Sequence, residues 1–139
     1  GELVLARHYF LAETRVNPSF AEGFNHLGLI HLSLNEAEGA VPPLRRAIEL
    51  NPRNADACNN LGLAYRRLGR PGEAGKAFEM SVRVAPRFVP ALINLGLHHL
   101  DRGELVAAEK RLSQALLVEP GSEMARRNLS RVKSLLEKR

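Results

Sequence analysis

The sequence has few aromatic residues, no tryptophan, a single cysteine and no long apolar run. Only 5% of its 139 residues are aromatic, whereas alanine, leucine and arginine abound, which favours helix over strand. No apolar stretch approaches the roughly 20 residues that cross a bilayer, and the first residues lack a signal pattern. We therefore expect a soluble protein, cytoplasmic by default, with its compartment undetermined. Since the chain does not begin with Met, we expect it to be a piece of a longer protein.

The lone cysteine, Cys58, excludes an internal disulfide, so the fold must depend on packing. It lies among residues spaced like an apolar helix face. We predict that it is a small buried hydrophobic residue rather than a reactive thiol.

The net charge of +5 is concentrated at one end of the chain. Residues 1–122 carry 14 basic and 13 acidic residues, whereas residues 123–139 carry six and two. This basic end has no interleaved aromatics for base stacking and no clear apolar face for membrane insertion. A solvated terminal helix is therefore favoured over a nucleic-acid site, an acidic-partner site or a membrane contact.

Proline reveals an internal repeat. Four prolines stand 34 residues apart without an insertion, at Pro18, Pro52, Pro86 and Pro120. The same spacing aligns small residues, such as Gly28, Gly62 and Gly96, and large apolar ones, such as Phe10, Leu44, Phe78 and Leu112. Small residues allow close helix contact and large ones fill the space between helices, so each repeat is predicted to be two antiparallel helices.

Local signals place the turns of these helix pairs. Gly69 and Gly103 are typical of the end of a first helix, and Pro71 of the start of a second. The prolines of the 34-residue series end the second helices. One misfit is the pair Pro42 and Pro43 inside an expected second helix, where we expect a late start or a kink.

The sequence resembles the tetratricopeptide repeat family. In the central repeat the family pattern is carried by Cys58, Leu61, Gly62, Tyr65, Ala74, Phe78, Ser81 and Pro86. The resemblance covers nearly the whole chain and implies an all-α fold, a right-handed superhelical α-solenoid of antiparallel helix pairs. We expect one array over residues 1–139, with repeats at 21–54, 55–88 and 89–122.

The two ends depart from the repeat pattern. Residues 2–16 resemble the second helix of a truncated preceding repeat, with Glu13 where alanine or serine stands later. Their apolar surface is expected to be covered by another helix of a longer chain or to drive self-association. Residues 123–137 resemble a C-terminal capping helix, in which Arg126 and Lys133 replace apolar and aromatic positions.

No motif in the sequence indicates catalysis, a cofactor or a metal. His31, Tyr65 and His99 stand 34 residues apart, at the same position of the aligned repeats, which we call a column. The two histidines are therefore expected to be packing residues, and no carboxylate or thiol at a suitable spacing completes a metal-ligand set with them. Phosphate loops and nucleophile elbows are absent. We expect a protein that is not an enzyme.

The family resemblance implies that the first helices line a concave peptide-binding groove. Its expected residues are Asn25, His26, Asn59, Asn60, Leu63, Arg66, Arg67, Asn94, Leu97, Arg127, Asn128 and Arg131. An asparagine amide both donates and accepts, so a row of them suits binding to a peptide backbone. In this family, asparagine is also common at the column of Asn60 and Asn94 where no ligand is known. The asparagines could therefore bind a ligand or only reflect the family consensus, and both interpretations stay open.

The family's chaperone-tail clamp is not expected here. That clamp needs basic residues at the columns of Asn25, Pro90 and Asn94, and asparagines at those of Leu29 and Asn60. Of this set, only Asn60 matches. The leading hypothesis is a non-enzymatic protein-interaction module or scaffold that binds a protein or peptide partner. The alternatives are a substrate-presenting array of a larger enzyme similar to O-linked N-acetylglucosamine transferases, and a self-assembling scaffold.

Overall fold

The computed structural model describes residues 1–139 as eight helices without a strand. The helices are α1 (Glu2–Val16), α2 (Ala21–Ser33), α3 (Ala37–Leu50), α4 (Ala55–Arg67), α5 (Pro71–Val84), α6 (Val89–Asp101), α7 (Leu105–Val118) and α8 (Glu123–Glu137). The prediction of an all-α repeat array is confirmed.

The helices stack as successive pairs. α2 packs on α3, α4 on α5 and α6 on α7, and each second helix also packs on the first helix of the next pair. The helices α2, α4, α6 and α8 touch one another in succession, whereas α1, α3, α5 and α7 do not. The array therefore curves towards α2, α4, α6 and α8. We call the surface that they form the inner face, and the surface formed by α1, α3, α5 and α7 the outer face.

Glycine lets the two helices of a pair approach closely. A Cβ atom at Gly62 would overlap the ring of Phe78, and one at Gly96 would lie 2.8 Å from Cγ of Leu112. Both large side chains are fully buried. The glycine column is therefore a packing requirement, since even a methyl group would displace the core residue opposite.

The three turns inside the pairs share a left-handed residue. Gly69 and Gly103 have φ angles of 67° and 73°, and Asn35 takes the same place in the first pair with φ 62°. Glycine adopts this conformation without strain, and asparagine tolerates it better than most residues. Asn35 is the only non-glycine residue with a positive φ in the chain.

The expectation of a late start for α3 is wrong. This helix begins at Ala37 and runs through Pro42 and Pro43 to Leu50. The two prolines remove two helical N–H donors, but Pro42 is exposed, and Ala40 and Leu44 are fully buried against the rest of the array. Packing of this face therefore holds a helix that local propensity disfavours.

Cys58 is a free cysteine without any solvent exposure. Desolvation raises the pKa of its thiol, which disfavours the reactive thiolate. The prediction of a buried small hydrophobic residue is confirmed.

Candidate functional site

Asparagines of the inner face bond to one another between neighbouring repeats. Nδ2 of Asn60 donates to Oδ1 of Asn25 at 3.1 Å, and Nδ2 of Asn94 donates to Oδ1 of Asn59 at 2.9 Å. Asn25, Asn59 and Asn60 are only 6%, 5% and 8% exposed. Each bond joins adjacent first helices, so these amides tie the repeats together.

The asparagine series changes at both ends of the array. Asn128 has Ile93 at the position of an acceptor, and its Nδ2 donates instead to the carbonyl of Met124 in its own helix at 2.9 Å. At the other end His26 is exposed and stacks on Phe10, with ring centroids 4.9 Å apart. The inter-repeat bonds are thus confined to the middle of the inner face.

Two arginines at the end of α4 are engaged within the protein. Nη1 of Arg66 donates to Oδ1 of Asn94 at 3.4 Å, and its guanidinium lies 5.8 Å from the centre of the Phe78 ring. Nη1 of Arg67 donates to the carbonyl of Leu32. That carbonyl belongs to the last turn of α2 and also accepts from the backbone N–H of Asn35 at 3.0 Å, so Arg67 adds a second bond to a carbonyl at a helix end.

Desolvation lowers the pKa of Arg66 from its ordinary value, and nearby Asp101 opposes the shift. The guanidinium nevertheless stays charged at neutral pH, because arginine ionises far above that range.

A hollow of about 410 Å³ opens on the inner face between α4, α6 and α8. Its lining consists of Leu63, Val89, Pro90, Ile93, Asn94, Glu119, Ser122 and Met124. Met124 is 60% exposed at its rim. The hollow combines an apolar floor with a few polar groups, which is the usual composition of a site that takes one side chain of a ligand.

Two arginines of α8 lie beside this hollow and are free of partners. Arg127 and Arg131 are exposed and make no hydrogen bond or ion pair within the protein. They follow Met124 by three and seven residues, so all three side chains occupy one face of the helix. The hollow therefore continues into a basic strip.

The remaining groove residues extend the surface away from the hollow. Leu97 is half-buried in α6, and Leu29, its counterpart in α2, is 43% exposed. The structure thus brings Leu63, Leu97, Asn94, Arg127 and Arg131 together on an accessible surface.

Sequence reasoning did not select Val89, Met124 or Ile93 as site residues. Met124 shares the 34-residue column of Pro90, and Ile93 shares that of Asn59. At Met124 and Ile93 an apolar residue stands in a column whose first two members are polar, and this change was visible in the sequence. Its meaning depended on α4, α6 and α8 meeting at one point.

The histidine column forms hydrogen bonds across the turns. Nδ1 of His31 lies 2.7 Å from Glu36, and Nδ1 of His99 lies 2.6 Å from Glu104. Tyr65 instead has the guanidinium of Arg70 over its ring, at 4.9 Å. These residues, expected to be packing residues, form matched pairs that join the first helix of each repeat to the start of the second.

The hydrogen bond from His31 is the main cause that lowers the pKa of Glu36, and Arg7 adds to it. The pKa of Glu104 is lowered in the same way, by His99 first and then by Arg102.

No group of three or more histidine, cysteine, aspartate or glutamate side chains is placed to hold a metal ion. None of the eight helices combines the length and apolarity that a bilayer crossing needs.

Comparison with family models matches two stretches of the chain. A model described as TPR repeat matches residues 28–69, and one described as tetratricopeptide repeat matches residues 55–88. The chain belongs to the tetratricopeptide repeat family. Repeats of this family are protein-interaction modules. No curated protein matches the sequence significantly.

Solved structures of other tetratricopeptide repeat proteins have the same fold. A crystal structure of MamA protein is 30% identical, with a TM-score of 0.76 over 86% of this chain and 66% of that chain. The Sgt2 TPR domain from Aspergillus fumigatus is 22% identical, with a TM-score of 0.79 over 85% and 80%. The first TPR of Spaghetti (RPAP3), bound to the HSP90 peptide SRMEEVD, is 20% identical, with a TM-score of 0.81 over 84% and 93%.

Proposed function

We propose that the chain is a non-enzymatic interaction module whose inner face binds an acidic peptide segment with one apolar anchor residue. The observation that carries the proposal is the hollow at Leu63, Ile93 and Met124, which continues into the free guanidinium groups of Arg127 and Arg131. An apolar side chain of the partner fills the hollow. Acidic residues beside it pair with the two arginines.

The site differs from the one expected from the asparagine column. Asn25, Asn59 and Asn60 are buried and bonded or closely packed between repeats, so we assign them to the stability of the array. Arg67 has a structural bond to Leu32. Asn94 reaches the hollow and remains a candidate for contact with the peptide backbone.

The expected affinity is modest. Burying one large apolar side chain contributes about 1.5–3 kcal/mol, and each charge-assisted hydrogen bond about 1.5–3 kcal/mol. One anchor and two arginine contacts therefore supply about 5–9 kcal/mol before ordering costs, while micromolar binding needs about 8. We expect dissociation constants in the high micromolar range for a short peptide, with a strong dependence on salt.

A titration with defined peptides tests the proposal. The probe is fluorescently labelled SRMEEVD with an amidated C-terminus, which holds an apolar residue followed by two glutamates, compared with the same peptide carrying lysine at its acidic positions. We expect saturable binding of the acidic peptide alone. Met124→Glu combined with Arg131→Glu should abolish it, because the first substitution places a charge at the hollow and the second removes a cation.

The matched control carries the same changes on the outer face. Leu117 is 82% exposed on α7, and Arg45 is exposed on α3 without a partner. Leu117→Glu with Arg45→Glu should bind like the original chain. Equal loss in both double variants, or equal binding of the acidic and basic peptides, would reject the proposed site.

A free C-terminal carboxylate separates this mode from the chaperone-tail clamp. A clamp binds the terminal carboxylate, so amidation of SRMEEVD would remove most of its affinity. The chain has Asn25 and Pro90 at columns where that clamp needs basic residues. We expect the free and amidated peptides to bind equally.

The alternative of a substrate-presenting array of a glycosyltransferase-like enzyme depended on the asparagine column. Two bonds of that column join neighbouring repeats, so this alternative gains no support from the side-chain geometry.

A further inference from the structure

The hollow between α4, α6 and α8 has a carboxylate at its rim that the binding mode above leaves unused. Glu119, the residue that follows α7, lines the hollow together with Met124. Its side chain is exposed and makes no hydrogen bond or ion pair within the protein. The nearest cation along the sequence, Arg126, is occupied by Glu123 and by the carbonyl of Pro120. Glu119 is therefore a free negative charge beside an apolar site.

Glu119 differs from the residues at its position in the other repeats. Its column contains Asn17, Asn51 and Ala85, none of which is charged. The two asparagines are bonded within their own loops, since Oδ1 of Asn51 accepts from the N–H of Arg53 at 3.1 Å and Oδ1 of Asn17 accepts in the same way from a serine hydroxyl. The column thus carries a charge, and one that its loop does not use, only beside the hollow.

The hollow is open because two other residues also depart from the repeat. Between α2 and α4, Nδ2 of Asn54 donates to Oε1 of Glu22 at 3.0 Å and joins the two helices. Between α6 and α8, the columns of these residues hold Ser122 and Pro90. Proline has no side-chain acceptor, and the hydroxyl of Ser122 accepts from the N–H of Ala125 at 3.4 Å. No side-chain bond bridges this place, and the hollow of about 410 Å³ lies there.

The accessibility of the hollow is a property of its columns. Pro90, the counterpart of Met124 in α6, is exposed although α7 and α8 follow it. The counterparts of Glu119 in the two preceding repeats are Asn51, which is exposed, and Ala85, which is half-buried. These positions therefore stay accessible in repeats that have further helices after them.

Charges of opposite sign flank the apolar floor along α8. Glu119 precedes α8 and lies at its N-terminal end, beside the hollow. Arg131 follows Met124 by seven residues, which places it about 10 Å further along the helix axis. An anchor side chain beside Met124 therefore has a negative charge on one side and a positive charge on the other. Residues of an extended peptide are about 3.3 Å apart, so those that flank the anchor reach both charges with long side chains.

We infer that the hollow selects its peptide by charge order, taking a segment with a basic residue on the Glu119 side of the apolar anchor and acidic residues on the Arg131 side. The inference rests on the proposed function, since it specifies the peptide that the same site takes. Glu119 pairs with the basic residue and repels an acidic one at that place. A uniformly acidic segment therefore binds less well, because specificity comes from a repulsive group as well as from attractive ones.

Three peptides that differ at one residue test the inference by fluorescence anisotropy. The labelled, amidated peptides SRMEEVD, SAMEEVD and SEMEEVD differ only in the residue before the methionine. We expect SRMEEVD to bind most tightly and SAMEEVD about two- to fivefold more weakly, which is the effect of an exposed ion pair, and SEMEEVD to bind more weakly still. General attraction to a chain of net charge +5 predicts the opposite order, since the peptides become more negative along the series.

Substitutions of Glu119 assign the preference to that residue. In Glu119→Gln, SRMEEVD and SAMEEVD should bind equally, because the pairing carboxylate is absent. In Glu119→Lys the order should reverse, with SEMEEVD bound most tightly. Glu79→Lys makes the same charge change at an exposed position of α5 on the outer face and should keep the original order. Circular dichroism verifies that every variant remains helical.

Crosslinking to the unaltered chain provides a measurement that does not depend on any variant. The amidated peptide SKMEEVD keeps the positive charge before the methionine and supplies an amine, which a carbodiimide joins directly to a carboxylate. We expect mass spectrometry to find a link between this lysine and Glu119. Links to Glu22 or Asp56, at the column of Met124 in the other repeats, without one to Glu119 would overturn the inference.

The outcomes separate the inference from the proposed function on which it rests. If SEMEEVD binds the unaltered chain as tightly as SRMEEVD, or if the order is unchanged in Glu119→Lys, charge order is overturned and the proposed function stands. If none of the three peptides shows saturable binding, both are rejected.

Discussion

Replacing Asn60 by alanine should weaken the contact between the first two complete helix pairs. Its Nδ2 donates to Oδ1 of Asn25 across 3.1 Å, and the two residues are 8% and 6% exposed. Asn60→Ala therefore removes a donor and leaves a buried acceptor without its partner. The change acts between repeats, so it should reduce the cooperativity of unfolding as well as the free energy of unfolding.

The expected loss follows from two opposing effects. Leaving a buried polar group unsatisfied costs about 1–3 kcal/mol. Alanine is a better helix former than asparagine, which returns up to about 0.7 kcal/mol. We expect a net loss of about 1–2 kcal/mol in the free energy of unfolding, and less for the double variant Asn25→Ala with Asn60→Ala than for the sum of the single variants, because the orphaned acceptor is then absent.

Urea denaturation followed by circular dichroism measures these differences. Asn128→Ala is the matched control, since the amide of Asn128 bonds within its own helix in an exposed setting. It should change stability by less than about 0.5 kcal/mol. A loss for Asn60→Ala no larger than that of the control, or additive effects of the two single substitutions, would refute the role assigned to the inter-repeat bond.

Two further predictions concern packing and pH. Gly62→Ala should lower the free energy of unfolding by about 1–3 kcal/mol, because the added Cβ overlaps buried Phe78. Gly72→Ala, with open space around the added Cβ, should be neutral or slightly stabilising. Similar melting temperatures for the two variants would contradict this prediction. The pKa values of Glu36 and Glu104 are lowered from the ordinary 4.5, so their contribution to stability is present above that value and is lost as the pH falls through the lowered folded values. Changing both to glutamine should flatten the loss of stability on acidification below about pH 5, and an unchanged acid profile would contradict it.

The fold could be predicted because its signals are local and recur along the chain. The turn residues Gly69 and Gly103 adopt the left-handed conformation that favours glycine, and both were expected to end a helix. The expectation of a late helix start at Pro42 and Pro43, which followed from local propensity, was wrong. Leu44 directly follows Pro43, but its burial against the neighbouring helix at Gly28 is a tertiary effect that the local sequence does not contain.

The candidate site was harder to predict, because aligning the repeats shows which residues occupy equivalent positions but not which residues of different repeats lie next to each other in space. The bond between Asn60 and Asn25 joins residues 35 apart, in two different columns of a 34-residue repeat. Which column faces the next helix depends on how each helix is rotated. The hollow beside Met124 likewise exists only where three helices meet, so its residues carried no common label in the sequence.

Methyl NMR during a titration with amidated SRMEEVD tests most directly that the inner face is the binding surface. We expect concentration-dependent shifts of the methyl signals of Leu63, Ile93 and Met124, which line the hollow. The methyl groups of Val106 and Leu117, exposed on α7 by 72% and 82%, should not respond. Shifts confined to these outer-face methyl groups, or absent from the hollow at saturating peptide, would contradict it.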